Sequence, residues 1–234
     1  MLEALKLNLE EIGRSRKIKA VIIKAAGRAF CPGHDLKEMQ EKRDLKNDGG
    51  KAYFEKLLSQ CTYVMKLIRE LPQPVIAEVQ GVAAAAGCQL VATCDIAVAS
   101  EEASFGVNGV DIGLFCSTPM VALSRNITRK KAFEMLTTGD FVDPFQAEEL
   151  GLINKVANIK DLGNCSLEIA EKIASKLSLA VKIGKKAFYK QAEMEIDHAY
   201  SYASSVIVEN LLYKETNQRM NDFLNKKIWL DLNK

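Results

Sequence analysis

What the chain has little of bounds its chemistry. It has almost no excess of one charge: 32 Lys and Arg stand against 30 Asp and Glu, a net +2 over 234 residues. With no basic–aromatic stripe either, nucleic acid is excluded as the expected partner. The six cysteines, Cys31, Cys61, Cys88, Cys94, Cys116 and Cys165, form no C-x-x-C pair. Their spacing suits neither a zinc site nor a disulfide framework, so no metal is expected. Several lie in runs of apolar or small residues, where a thiol packs as a small hydrophobe, and a reducing compartment fits. Histidine is limited to His34 and His198. Long apolar runs are also missing, since the stretch from Pro74 to Ser100 is broken by Glu78, Gln80, Gln89 and Asp95. That pattern argues against a membrane span. No secretory signal or transit peptide opens the chain, so it is not expected to be secreted. The expected compartment is the mitochondrial matrix in a eukaryote or the cytoplasm in a bacterium. Neither an internal repeat nor a low-complexity segment is present.

What is there is an ordinary globular composition, 48% hydrophobic and 26% charged, long enough for a large core. Residues 1–12 have helical spacing, and Ala20–Ala26 is a short β-branched run that reads as a buried strand. Gly27–His34 reads as a loop, with a short helix opening at Asp35, and Arg43–Gly50 as a polar, mobile loop. A helix over Ala52–Glu70, a strand over Val75–Val79, a buried helix over Ala84–Thr93 and a strand over Asp95–Ala99 follow. This alternation implies parallel strands with right-handed crossovers. Beyond about Pro119 the pattern is helical, with one further strand at Leu152–Val156. The chain therefore divides into an α/β core, residues 1–118, and a mainly helical region, residues 119–234.

Two segments carry chemistry. Cys31-Pro32-Gly33-His34-Asp35-Leu36 and Ala83-Ala84-Ala85-Ala86-Gly87-Cys88-Gln89-Leu90 both place small residues at a strand-to-helix turn. Each can aim a backbone N–H into a shared cleft, and two such donors make an oxyanion hole suited to thioester chemistry. Each fixed donor in such a hole typically contributes about 10²–10³ in rate. The start of the helix after Gly87 adds a favourable partial positive charge. His34 is also three residues from Cys31, and a nucleophilic thiol there is the lesser reading.

FCPGHDLKEM (30–39), PVIAEVQGVAAAAGCQLVATCDIAVAS (74–100), ASFGVNGVDIGLFCSTP (103–119) and GDFVDPFQAEELGLINKV (139–156) resemble, in order, four motifs of the enoyl-CoA hydratase/isomerase, or crotonase, family. The GHDL, AAGCQL and GLFCSTP wording resembles one subgroup of it. The resemblance implies an α/β fold, a spiral of ββα turns with a C-terminal helical region that supports trimers or dimers of trimers. The resemblance also implies two N-terminal strands that this sequence does not include: either an upstream part was left out or the start was assigned late, and if the strands are truly missing a sheet edge is left open. The resemblance implies that the oxyanion donors are the backbone N–H groups of His34 and Ala86, with Ala86 in the backbone conformation of a glycine. It places acyl-CoA contacts at Pro32, Asp35, Leu36 and Gly87, and further ones at Phe223 and Lys226 of a Phe-x-x-Lys element. No cofactor is implied beyond the coenzyme A of the substrate, and the partners are an acyl-CoA thioester and further copies of the chain, with no nucleic acid and no membrane.

The departures from the family are as informative. Family hydratases handle water with two glutamates, and here those positions are Gln89 and Gly109. An amide does not titrate near neutral pH and a glycine offers nothing, whereas each acid–base group contributes about 10²–10⁴. Efficient hydration is therefore not expected. Asp111 is a substitute acid in one reading and a buried, hydrogen-bonded residue in the other. Asn108, Cys116 and Ser117 are candidate lining of the acyl pocket. The His34 side chain is expected to be a satisfied structural histidine, with a base as the alternative. His198 reads as a surface or packing residue. The function expected is an acyl-CoA-binding, enoyl-CoA hydratase/isomerase-like protein with enolate-type chemistry. The alternative is a non-catalytic acyl-CoA-binding or regulatory relative.

Overall fold

The structure is a computed structural model and describes residues 1–44 and 48–225. Two compact units divide it, residues 1–171 and 172–234. The change of character expected at residue 119 is thus not where the units part. The reason is visible in the pairing of β7 (Lys155–Ala157), which returns to the sheet of the first unit beside β5 (Ile96–Ser100).

The first unit contains two parallel sheets. The larger has the order β1 (Val21–Lys24), β3 (Val75–Val79), β5, β7. Its central strand β3 is almost wholly apolar, as expected of a parallel strand covered on both faces. The exception, Glu78, accepts a hydrogen bond from the buried Ser166 hydroxyl. Asp95 and Asn154 fix the strand starts: the Val75 N–H donates to Asp95 Oδ2 (2.7 Å) and the Ala97 N–H to Asn154 Oδ1 (2.8 Å).

The smaller sheet has the order β2 (Ala29–Cys31), β4 (Val82–Ala84), β6 (Ser104–Gly106). None of its strands is among the expected elements. β2 lies inside the expected Gly27–His34 loop, β4 occupies the first residue of the expected Ala84–Thr93 helix, and β6 follows a turn at residues 101–102. Each has three residues, too few to display a period. They exist because neighbouring strands supply their hydrogen bonds: Ala29 aligns with Val82, Cys31 with Ala83 and Ala84 with Gly106. Together with the core built from Ile68, Val75, Ile76, Val79, Val98 and Phe105, this sheet anchors the loops described next.

The helices otherwise follow the periodicity closely. α1 spans Leu2–Arg14, α2 Leu36–Asp44, α3 Lys51–Glu70, α4 Ala86–Thr93, α5 Ser117–Leu123, α6 Arg129–Thr138 and α7 Pro144–Glu149. The mobile loop expected over Arg43–Gly50 is only partly in view. Residues 43–44 end α2, residues 48–50 form a turn, and the intervening three lie outside the described residues. α8 (Leu162–Ala174) crosses the unit boundary, and α9 (Ser178–Gln191), α10 (Ile196–Leu212) and α11 (Lys214–Leu224) make up the second unit.

Candidate functional site

Because β2, β4 and β6 are parallel neighbours, their C-terminal ends open side by side. The crevice outside the carboxyl ends of such strands is the usual binding location in an open α/β sheet. The Pro32–Leu36 loop leaves β2, α4 leaves β4, and a 3₁₀ turn over Asn108–Ile112 leaves β6. The tertiary structure therefore brings His34, Ala86, Gln89, Gly109 and Asp111 to one edge from three separate strands.

The two turns meet at glycine. Gly33 has φ +103°, and a Cβ placed there would lie 3.3 Å from Ala85 Cβ and 3.7 Å from Ala86 N. Gly87 sits directly over the end of β2, where an added Cβ would fall 1.8 Å from the Cys31 carbonyl oxygen. The first turn of α4 thus rests on the strand that carries the other loop. In α4 the Gln89 N–H donates to the Ala85 carbonyl (3.0 Å), and the Ala85 N–H donates back to Gly106 (2.9 Å). Among the described residues, the N–H groups of Ala86 and His34 find no acceptor. Unpaired donors in the first turn of a helix are an intrinsic property of helix ends. Here the residue that carries one of them approaches Gly33, whose neighbour His34 carries a second on the adjoining loop.

The special backbone is one residue earlier than expected. Ala86 begins α4 with helical geometry, and it is Ala85 that takes φ 49°, ψ −113°. The strand must reverse direction before the helix starts, and Ala85 absorbs that reversal.

Side chains at the site are electrically quiet. Gln89 is 6% exposed, and its Oε1 is buried without a hydrogen-bond partner among the described residues. Gly109 has no room for a side chain as the chain now stands. A Cβ there would lie 2.5 Å from the Leu114 carbonyl oxygen and 2.9 Å from Cys116 Sγ. Burial raises the Cys116 thiol pKa, partly offset by a hydrogen bond from the Gly109 backbone. Burial also pushes Cys88 up to about 12, and Cys116 is close enough to add to the effect. The half-buried His34 imidazole is shifted below its ordinary 6.5, also by burial. No carboxylate contributes to any of these shifts.

Several expectations need correction. The His34 ring has no hydrogen-bond partner among the described residues, so it is not satisfied in the way expected. Asp111 is hydrogen-bonded but exposed: Asn108 Nδ2 donates to its Oδ2 (3.3 Å), and its Oδ1 would be 2.9 Å from a Cβ at Gly139. Cys31, the thiol of the lesser nucleophile reading, is packed in the core. The Asp35 carboxylate caps α2, accepting from the N–H groups of Lys37 (2.9 Å) and Glu38 (3.2 Å). Pro32 and Leu36 are exposed on the same loop. Phe223 lies on α11 in the second unit, exposed to solvent, and Lys226 lies outside the described residues. The role of the Cys116 thiol and Leu114 carbonyl in filling the place beside Gly109 is a feature that sequence reading missed. Its sequence signal, a glycine where the family pattern has a long side chain, says only that the side chain is gone.

Similarity to known proteins agrees with this geometry. The rat enoyl-CoA hydratase domain-containing protein 3, mitochondrial, is 43% identical over 231 residues, covering 98% of this chain and 75% of its own. This is the subgroup that the loop wording resembled. The crystal structure of the human enoyl coenzyme A hydratase domain-containing protein 3 superposes with a TM-score of 0.90 at 43% identity, covering 96% of this chain and 87% of that one. An enoyl-CoA hydratase structure from Mycobacterium smegmatis gives 0.91 at 46% identity, with 97% and 86% covered. The sequence also matches the enoyl-CoA hydratase/isomerase family over residues 1–230. With its crevice at the ends of three parallel strands and its helical C-terminal region, the chain belongs to the enoyl-CoA hydratase/isomerase family and has the crotonase fold.

Proposed function

We propose that the chain binds an acyl-CoA thioester in the crevice between the Pro32–Leu36 loop and α4, and polarises its carbonyl with the His34 and Ala86 amides. The observation that carries this reading is the pair of unpaired N–H groups on adjoining turns, held together by the contacts of Gly33 and Gly87. Enolisation of, or addition to, a thioester moves negative charge onto the carbonyl oxygen. Two preorganised donors stabilise that charge without reorganising. Both act through the backbone, so the imidazole of His34 and the methyl of Ala86 do not disturb the function.

The reaction class is enolate-based: isomerisation, decarboxylation, thioester hydrolysis or slow hydration. Proton transfer at the family's two glutamate positions is not available to Gln89 or Gly109, so this chain is not an efficient hydratase. The chemistry needs no cofactor beyond the coenzyme A of the substrate. Around the nucleotide, the loop backbone at Pro32, Asp35 and Leu36, together with Gly87, supplies contacts, and Phe223 and Lys226 of the Phe-x-x-Lys element serve the ligand of a neighbouring copy. The chain self-associates as a trimer or dimer of trimers, and its workplace in a eukaryote is the mitochondrial matrix, a reading supported by the word mitochondrial in the rat relative's name.

A second reading, a non-catalytic acyl-CoA binder, is favoured by one observation: the space beside Gly109 is filled by Leu114 and Cys116. Titration of the purified chain with a panel of acyl-CoA esters, followed by a turnover assay on the same panel, separates the two. Binding with turnover above buffer is expected. Binding without turnover selects the second reading, and absence of binding to every ester rejects both.

A further inference from the structure

We propose that Lys155 and Cys165 form a modification site, at which hydrogen peroxide joins the lysine nitrogen to the cysteine sulfur through one oxygen atom. The pair lies on the larger sheet, under α8, and uses no residue of the crevice, so the inference stands independently of the thioester reading.

Strand register sets the pair. Lys155 of β7 aligns with Val98 of β5, and Val98 aligns with Glu78 of β3. Aligned side chains of neighbouring strands leave a sheet on the same face. α8 lies across this row: the Ser166 hydroxyl donates to Glu78, and Val98 packs against Leu162 and Cys165. Cys165, one residue before Ser166, is thereby set toward the next position of the row, which is Lys155. The Lys155 ammonium donates a hydrogen bond to the Cys165 sulfur. That contact is the largest cause raising the Lys155 pKa above its ordinary 10.5, while desolvation opposes it and Glu168 and Glu148 add weaker attraction.

The two partners differ in access. Lys155 is exposed on β7, the end strand of its sheet, whereas Cys165 is 6% exposed. A bulky electrophile is kept from that sulfur, and a molecule as small as peroxide reaches it along the lysine stem. The sulfur attacks the peroxide: an S–O bond forms, the O–O bond breaks, water leaves and Cys165 becomes a sulfenic acid. The amine has then lost the sulfur that held its proton and releases that proton to water. A second peroxide forms an N–O bond on the amine, again releasing water. The hydroxylamine oxygen displaces water from the sulfenic sulfur and closes the N–O–S link. One thiol, one amine and two peroxides thus give one link and three waters; sulfur and nitrogen are oxidised and peroxide oxygen is reduced. The product ties the edge strand β7 to α8.

The test treats the full chain with dilute hydrogen peroxide, alkylates the remaining thiols and maps tryptic peptides by mass spectrometry. Cleavage after Lys160 leaves residues 155 and 165 on separate peptides. The expected product is those two peptides joined, with one oxygen more and two hydrogens fewer than their sum, and separated again by dithiothreitol. Lys155→Arg keeps the charge on an exposed position and removes the primary amine. It is expected to give no joined peptides and to leave Cys165 open to a sulfenic-acid trap such as dimedone. Cys165→Ser is expected to give no joined peptides either. Cys61 and Cys88, whose thiols are shifted by burial and by another thiol, are expected to stay reduced at the same dose. A Cys165 that stays a free thiol while Cys61 or Cys88 is oxidised overturns the inference. So does a Cys165 that passes to the sulfinic acid without joined peptides, or a Lys155→Arg protein with the same products as the wild type.

Discussion

Ala85 holds a backbone conformation that glycine would hold at lower cost, φ 49°, ψ −113°. Non-glycine residues in such sparsely populated regions store about 1–3 kcal/mol of strain, and replacement by glycine gives back part of the gain through the freer unfolded chain. Ala85→Gly is therefore expected to stabilise the protein by about 1 kcal/mol, a rise in Tm of about 2–4 °C for a chain of this size. A fall in Tm on scanning calorimetry would show that the Ala85 methyl, which faces Gly33, contributes more by packing than its backbone costs. His34 gives a second prediction at this scale. Burial lowers its pKa below 6.5 in the folded state, so the unfolded chain binds the proton more readily. The penalty is absent above 6.5, and as pH falls from there through the folded-state pKa the wild type loses stability. His34→Gln removes the titrating group, so its denaturation midpoint is expected to fall less than that of the wild type over the same acid interval. Parallel curves for the two proteins would mean that His34 is solvated like a free histidine.

At the scale of elements, the small sheet is what makes a site out of scattered turns. β2 delivers the loop with His34, β4 delivers α4 with Ala86 and Gln89, and β6 delivers Gly109 and Asp111. Gly87 locks the first two together, because its Cα faces the Cys31 carbonyl at a distance that leaves no room for a methyl. Gly87→Ala must push α4 away from β2. Overpacking of this kind costs about 1–3 kcal/mol, and the displaced Ala86 N–H should weaken acyl-CoA binding as well. Urea denaturation and ligand titration of the variant read both effects; a normal stability with normal binding would show that the two turns move independently. The helices of the chain were legible from period and punctuation, α3 almost to the residue. The small sheet was not, since strands of three residues owe their existence to partners remote in sequence. Motif resemblance pointed to His34 and Ala86 as candidate donors without locating the strain at Ala85, because a motif records which residues occur and not which one turns the chain.

On the scale of the whole molecule, two units are described, and the second carries exposed apolar residues on its helices, among them Ile196, Tyr200, Ile207, Leu211 and Leu212. The proposed self-association would give such residues a partner to cover them. Sedimentation velocity is expected to give the mass of a trimer or a multiple of it, and a monomeric mass at micromolar concentration would contradict self-association. Among the described residues no helix is long and apolar enough to cross a membrane, and no cluster of three or more His, Cys, Asp or Glu is placed to hold a metal ion.

By itself the sequence determined the alternation of strand and helix, the helical second half, the two glycine-bearing turns and the uncharged identities of Gln89 and Gly109. These are local properties, set by period, turn chemistry and residue identity. The tertiary structure decided what depends on partners distant in the chain. It decided that three short strands pair into a sheet and that the turns carrying His34 and Ala86 meet at its edge. It put the backbone reversal on Ala85, exposed Asp111, and set Leu114 and Cys116 in the space beside Gly109. Burial and backbone pairing are set by long-range contacts, and no stretch of the chain states those by itself.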